Sequence, residues 1–381
     1  MKILISPQAF KESLSGMEAA QAIEEGVLRA LPKAQTTLIP IADGGDGTLE
    51  TIVATTGGTI QQATVEDPLG RPITSSWGAL GDGQTAMIEM SRASGLALLQ
   101  EQERNPKITS TFGTGQLILE ALNNGFSKLI IGIGGSATND GGAGMAQSLG
   151  IKLLDKHGTN LPPGGSSLKN LDHIDVSSMD PRIHETTIMV ATDVSNTLCG
   201  PTGASAVYGP QKGATQSMIE ELDQCLSHFA DSIKEILNID IKQIPGSGAA
   251  GGLGAGLMAF LNADLLPGVD VVLETLRIES YLEEADLVIT GEGQMDYQTV
   301  FNKAPIGIAK RAKKKNIPVI AIAGSLGKGY EQVFEHGIDG VTAAVLAPMP
   351  LTKATDEAKS LVALAAERAI RLIEVGRNFD Q

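Results

Sequence analysis

Histidine is scarce in this chain, with five in 381 residues: His157, His173, His184, His228 and His336. None lies in a glycine-rich or acidic loop and no two stand at ligand spacing. That removes a catalytic zinc and a Ser-His-Asp triad, which both need an imidazole beside its partners. Cysteine is scarcer still. Cys199 and Cys225 form no C-x-x-C pair, which excludes a disulfide framework and a thiolate metal site and makes the cytosol the expected compartment. Basic residues are outnumbered 29 to 44, a formal charge of −15, which disfavours broad contact with nucleic acid or an anionic membrane surface. An anionic substrate must then be held in a local pocket. No apolar run reaches the length of a membrane span or a signal h-region, and a soluble, unprocessed cytoplasmic protein is expected. There is no G-x-S-x-G elbow. Gly324-Ser-Leu-Gly-Lys328-Gly-Tyr330 lacks both the spacing and the Ser/Thr of a Walker A loop.

Glycine, by contrast, is abundant: 45 residues, clustered rather than periodic, as in a globular chain with many shaped turns. The central cluster begins where Lys128-Leu-Ile-Ile, an apolar run suited to a strand buried on both faces, breaks into Gly132-Ile-Gly-Gly-Ser-Ala-Thr-Asn-Asp-Gly-Gly-Ala-Gly. Helical spacing then resumes through Met145 and Leu149. In a turn of this kind backbone N–H groups can close around an anion, and the helix dipole favours negative charge. Gly134, Gly135, Gly141 and Gly142 allow close approach, and Thr138, Asn139 and Asp140 are expected to cap the helix. The loop reads either as a phosphate or carboxylate cradle or as an ordinary capped turn. A second cluster, Gly246 to Gly256, fits G-x-G-x-x-G, but Gln243-Ile-Pro before it makes a poor strand. Close helix packing or a backbone-lined pocket is expected there.

Taken in order, Lys2 to Ser6 is a strand, followed by a loop carrying Lys11 and Ser13. Ser15 and Glu18 then form a capping box for a helix with Met17, Ala20, Ile23 and Val27 on one face. Thr37 to Ile41 is a second strand, and Asp43-Gly-Gly-Asp46-Gly-Thr48 at its carboxyl end leads into another helix. Open α/β sheets put their sites at such strand ends. Hairpin-like pieces follow from Thr64, then strands at Thr85–Glu89, Lys128 onward and Thr187–Ala191, the last delivering Asp193. Between them lie a helix opened by Phe112-Gly-Thr-Gly and a hairpin over Ile151 to Val176. After Lys212 a long amphipathic helix runs from Met218 through Ile233. The last hundred residues alternate again: strands at Asp286–Thr290, Pro318–Ala323 and Gly340–Leu346, with helices at Ala304–Lys314, Gly329–Glu335 and Asp356–Ile373. The expected fold is α/β in two domains. One is a Rossmann-like parallel-sheet domain built from both chain ends, residues 1–65 and 283–381; the other is an inserted α/β domain, residues 66–282, carrying the glycine-rich loops.

The loops at the strand ends combine lysines (Lys11, Lys212, Lys303), carboxylates (Asp43, Asp46, Asp193, Glu292, Asp296) and glycine-rich cradles. Phosphoryl transfer uses such a set. Its transition state spreads negative charge over phosphoryl oxygens, which cations and oriented N–H groups stabilise, and carboxylates hold Mg²⁺ and accept a hydroxyl proton.

Six motifs in collinear order, Pro40-Ile-Ala-Asp43-Gly-Gly-Asp46-Gly-Thr48, Phe112-Gly-Thr-Gly115, Gly132 to Met145, Gly209-Pro-Gln-Lys212-Gly-Ala214, Gly248 to Gly254, and Thr290-Gly-Glu292-Gly with Asp296 and Lys303, together resemble the bacterial glycerate kinase family, type I, over essentially the whole chain. The resemblance implies a site in the cleft between two α/β domains. It also implies ATP- and Mg²⁺-dependent phosphorylation of D-glycerate at the 2-hydroxyl, giving 2-phosphoglycerate in glyoxylate- or glucarate-type catabolism. The sequence departs from the family's commoner Asp-Ser-Phe-Lys-Gly-Ser pattern at Gln8, Ala9 and Glu12, and Asn302 stands where glycine is usual. With that activity in view, Asp193 is the first choice for the base and Asp43 the second. Lys11 and Lys212 neutralise phosphates or the glycerate carboxylate, and N–H groups from Gly134 to Asn139 hold one of those anions. Ser13, Gly134, Gly135, Ser136, Thr138, Asn139, Asp140 and Lys303 are the substrate- and phosphate-binding set, and Glu292 and Asp296 bind Mg²⁺ directly or through water. A homodimer is compatible with this reading.

Three other readings stay open: 3-phosphoglycerate as the product, a dehydrogenase and a binding protein. A dehydrogenase is suggested by Gly132-x-Gly134-x-x-Ala137 after a strand, with Asp155 at about the distance of a ribose-binding acid. The interruption at Thr138–Gly142 and the lack of a catalytic histidine weigh against it. A non-catalytic carboxylate-binding protein would use the same anion loops without turnover.

Overall fold

A parallel strand covered on both faces reads as an unbroken apolar run, and Lys2–Pro7 is such a strand, every residue after Lys2 being buried. The computed structural model describes residues 1–45, 47–301 and 303–377; Asp46, a candidate of the acidic loop, and Asn302 lie outside them. Two compact units make up the chain, Met1–Thr55 with Val269–Gln381, and Thr56–Gly268. Both joins fall earlier in the chain than residues 65 and 283. Thr59–Glu66 pairs along its length with Pro72–Ala79 in the second unit. At the other join Val269 and Leu273 pack so tightly on Gly307 of the first that a Cβ there would come within 2.3 Å of Val269 Cγ2.

The first unit is a five-stranded sheet in the order Gly340–Ala343, Val319–Leu326, Leu287–Met295, Lys2–Pro7, Gln35–Leu38, with each pair parallel. The strand expected at Thr37–Ile41 begins at Gln35, and its bonding to the first strand continues past Leu38 through Ile39 N–H to Ile5 and Ile41 N–H to Pro7. Ser15 and Glu18 form the expected capping box at the head of helix Gly16–Ala30. That helix lies against the C-terminal helix Ala358–Arg377 at Gly26, where a Cβ would sit 2.0 Å from the Ala363 carbonyl. Only glycine permits that approach. Tyr330–His336 winds as 3₁₀ turns rather than the expected α-helix, since Gly329 and Gly337 at its ends both take positive φ and leave room for little more than two tight turns.

The second unit holds a six-stranded sheet in the order Asp264–Leu266, Thr187–Ala191, Lys128–Gly132, Thr85–Glu89, Pro72–Ala79, Thr59–Glu66. The first four strands run parallel and the last two add antiparallel edges. Both units are thus α/β with parallel strands at the centre, as the alternating pattern predicts. Lys152–Leu154 and His173–Asp175 form a separate antiparallel pair. The long helix Gln216–Leu237, capped by Thr215, buries Leu222, Leu226, Phe229 and Ile233. The second glycine cluster leads into helix Ala249–Leu261, whose first turn is broken by left-handed Ala250, Gly251 and Gly252. A Cβ on Gly251 would meet the Thr138 carbonyl at 1.9 Å and one on Gly256 the Gly141 carbonyl at 2.5 Å. Close packing against the central loop accounts for this cluster, and no dinucleotide turn is formed.

Candidate active site

Strand Lys128–Gly132 ends in the central glycine loop, and helix Ala143–Ser148 starts on its far side. Gly134 and Gly135 are exposed, and beyond them the chain turns inward: Thr138, Asn139 and Asp140 are fully buried. Beneath the loop lies Lys212, 1% exposed, whose Nζ donates to Ser136 Oγ at 2.7 Å and to the Thr138 carbonyl at 2.6 Å. Neither partner carries a charge. Burial pushes the Lys212 ammonium down to about 7, against the pull of Asp140. Asn139 Nδ2 donates to Ser205 Oγ, while Asn139 Oδ1 and Thr138 Oγ1 are buried with no partner among the described residues. Buried polar atoms are normally paired, so these two mark a place where a ligand or water completes the structure.

The loop differs from the expected cradle in two respects. Ala137 N–H is engaged by the Ser94 carbonyl, so the run of free donors from Gly134 to Asn139 is interrupted. The Asp140 carboxylate faces inward and accepts from Thr111 N–H, Thr111 Oγ1–H, Gly142 N–H and Gly144 N–H. It ties the loop before helix Phe112–Asn123 to the start of the next helix. Burial raises its pKa and the four hydrogen bonds oppose that rise. Asp140 therefore shapes the loop, both carboxylate oxygens being taken up by these hydrogen bonds. The signal for this was Thr111, just before the Phe112-Gly-Thr-Gly helix start, which the sequence reading did not use.

Thr187–Ala191 is the neighbouring strand, in register with the loop's own strand at Gly132 and Ala191. It delivers Asp193 on the same sheet edge, exposed, with Oδ1 accepting from Gly268 N–H at 3.0 Å.

In the first unit, the carboxyl ends of Lys2–Pro7 and Leu287–Met295 bring a second group together. Glu292 is buried, and its Oε1 accepts from Thr299 Oγ1–H at 2.8 Å. Burial pushes the Glu292 carboxyl up to about 7, reinforced by Asp43 and Asp296 and opposed by Thr299 and Lys303. Thr299 also accepts from Asp296 N–H, so one hydroxyl joins both carboxylate positions. Sequence reasoning missed it; the Asp296-x-x-Thr299 spacing was the available signal. Lys11, Ser13, Glu292, Asp296 and Lys303 line one cavity of about 390 Å³. Ser13 Oγ donates to the Phe10 carbonyl, closing the turn that carries Lys11. Asp43 keeps an Asx contact, its Oδ1 accepting from Gly45 N–H.

A sequence model of the Glycerate kinase family matches residues 3–374. The chain belongs to the glycerate kinase family. It is 53% identical over 364 residues to a glycerate kinase of Halalkalibacterium halodurans, covering 96% of each chain. Glycerate 2-kinase of Escherichia coli K12 is 49% identical over 376 residues, covering 99% of each. A crystal structure of a chain assigned as glycerate kinase 2 from Salmonella typhimurium LT2 superposes with a TM-score of 0.92 at 46% identity, covering 99% of both chains. Chemistry in this family is phosphoryl transfer, and the Glu292 group suits a metal-bound nucleotide. Its carboxylates repel one another. Among the described residues no group of three or more histidines, cysteines or acids is gathered to hold a metal. Mg²⁺ commonly takes one or two carboxylates and completes its shell with phosphate oxygens and water. Among the described residues no helix is long and apolar enough to cross a membrane.

Proposed function

We propose that this chain transfers the γ-phosphoryl group of ATP to the 2-hydroxyl of D-glycerate, releasing ADP and 2-phosphoglycerate. The observation that carries this reading is Lys212: a lysine sealed under a glycine loop with a hydroxyl and a carbonyl as its hydrogen-bond partners among the described residues. A buried ammonium lacking an ion pair is costly, and an anion at the loop offsets that cost.

In the reaction the 2-hydroxyl oxygen bonds to the γ-phosphorus as the bond to the β-phosphate's bridging oxygen breaks. Asp193, on a strand neighbouring the loop, orients the hydroxyl and takes its proton, which then passes to water. Lys212, Ser136 and the N–H groups at Gly134 and Gly135 hold one of the anions, carboxylate or phosphate. Lys11 and Lys303 neutralise phosphate oxygens. Glu292 and Asp296 would hold Mg²⁺, which screens the charge of the triphosphate. ADP release measured with D-glycerate, L-glycerate and glycolate, with and without Mg²⁺, tests the reading. Turnover with D-glycerate that stops on removing Mg²⁺ supports it. Nicotinamide reduction by hydroxy acids, or tight carboxylate binding with no ADP formed, contradicts it.

A further inference from the structure

The strand order of the first unit changes its direction of winding between Lys2–Pro7 and Leu287–Met295. In doubly wound sheets ligands lie outside the carboxyl ends at that switch point. The cavity of about 390 Å³ opens there, and its walls are of two kinds. One side is the polar group of Lys11, Glu292, Asp296 and Lys303. The other is apolar: Val345 beyond the edge strand, Leu351 and Ala354 of helix Leu351–Asp356, and Ala358 and Leu361 of the C-terminal helix. Leu351 is 73% exposed, so one end of this wall is uncovered. Gln8, also on the wall, has its Oε1 shut from water with no donor among the described residues.

D-Glycerate has three carbons bearing a carboxylate and two hydroxyls, and nothing in it covers an apolar wall. A nucleotide has both characters, a flat base with ribose and a charged phosphate chain. The volume falls within the about 300–1,000 Å³ typical of pockets for ligands of that size. We infer that this cavity holds the nucleoside of the donor nucleotide, base and ribose against Val345, Leu351, Ala354, Ala358 and Leu361, with the phosphates toward Lys11 and Lys303. The inference rests on the phosphoryl-transfer reading and adds where the donor is held.

Amide hydrogen exchange of the full chain with and without ADP tests it directly. Slowed exchange across residues 344–362 is expected; slowing confined to residues 132–142 overturns it. Kinetics give a second readout. Ala354→Phe fills the cavity from a partly exposed position and is expected to raise the KM for ATP about tenfold or more, with the KM for D-glycerate changed by less than about twofold. An unchanged KM for ATP in the folded variant overturns the inference. If Ala354→Phe does not fold, the exchange map of the unaltered protein decides. Turnover with ADP protection elsewhere removes only this assignment, whereas protection at 344–362 without phosphoglycerate formation keeps the nucleotide cavity and removes the glycerate reading.

Discussion

Raising the pH and titrating D-glycerate tests the anion role of Lys212. In the ligand-free protein its pKa lies near 7, down from 10.5, because the side chain is buried beside neutral partners. The folded value is below the unfolded one, so between about pH 7 and 10.5 the unfolded chain keeps a proton that the native chain has lost. Burial of this group therefore destabilises most below pH 7, and stability rises with pH through that window. At about 1.4 kcal/mol per unit the net cost below pH 7 is about 5 kcal/mol. An anion in the loop restores the ammonium. At pH 8 most of Lys212 is neutral beforehand, so binding takes up close to one proton, and affinity falls as pH rises above about 7. Calorimetric titrations of D-glycerate in Tris and in HEPES at pH 8 read the uptake from the difference in heat. Lys212→Met is expected to abolish it and to weaken binding, while Asp140, the charged group acting on Lys212, stays in place. No uptake in the unaltered protein with either D-glycerate or, in a parallel titration, ATP, or the same uptake in Lys212→Met, would refute the assignment.

Other consequences are equally specific. Asp193→Asn is expected to lower kcat by about 10²–10⁴ with little change in the KM for D-glycerate; near-normal turnover from folded protein would remove the base assignment. Asp140→Asn exchanges one acceptor oxygen for an NH₂ group facing N–H donors, and urea unfolding is expected to record a loss of about 2–4 kcal/mol; wild-type stability would mean the four hydrogen bonds matter little. Glu12 is exposed at φ 63, a backbone state that disfavours side chains, so Glu12→Gly is expected to stabilise by about 0.5–1 kcal/mol, read as a higher urea midpoint at constant m. A lower midpoint would mean the Glu12 side chain makes a stabilising contact.

Local signals were legible wherever chemistry and spacing act within a few residues. The Ser15–Glu18 capping box, the apolar run at Lys2–Pro7 and the strand-to-helix turn at Gly132 are of this kind. The alternating pattern also gave α/β units at both chain ends. What could not be read depends on contacts far apart in sequence. Asp140 looks like a cap and does accept from Gly144 N–H in the first turn, but it is also held by Thr111, 29 residues earlier, which the sequence does not show. Ala137 N–H is satisfied by Ser94. Glu292 reads as an acid in the loop after a strand, yet it lies within strand Leu287–Met295, buried and bonded to Thr299. The second glycine cluster fits a dinucleotide motif, and the poor strand before it already pointed to close packing instead; what could not be read is the partner, the Thr138 and Gly141 carbonyls.

Phosphorus NMR of a reaction containing the protein, D-glycerate, ATP and Mg²⁺ tests the central claim most directly, because one spectrum reports both turnover and the position phosphorylated. The account predicts ADP and 2-phosphoglycerate in equal amounts. A 3-phosphoglycerate signal would contradict the assignment of the reacting hydroxyl, and no phosphoglycerate from folded protein would contradict the activity itself.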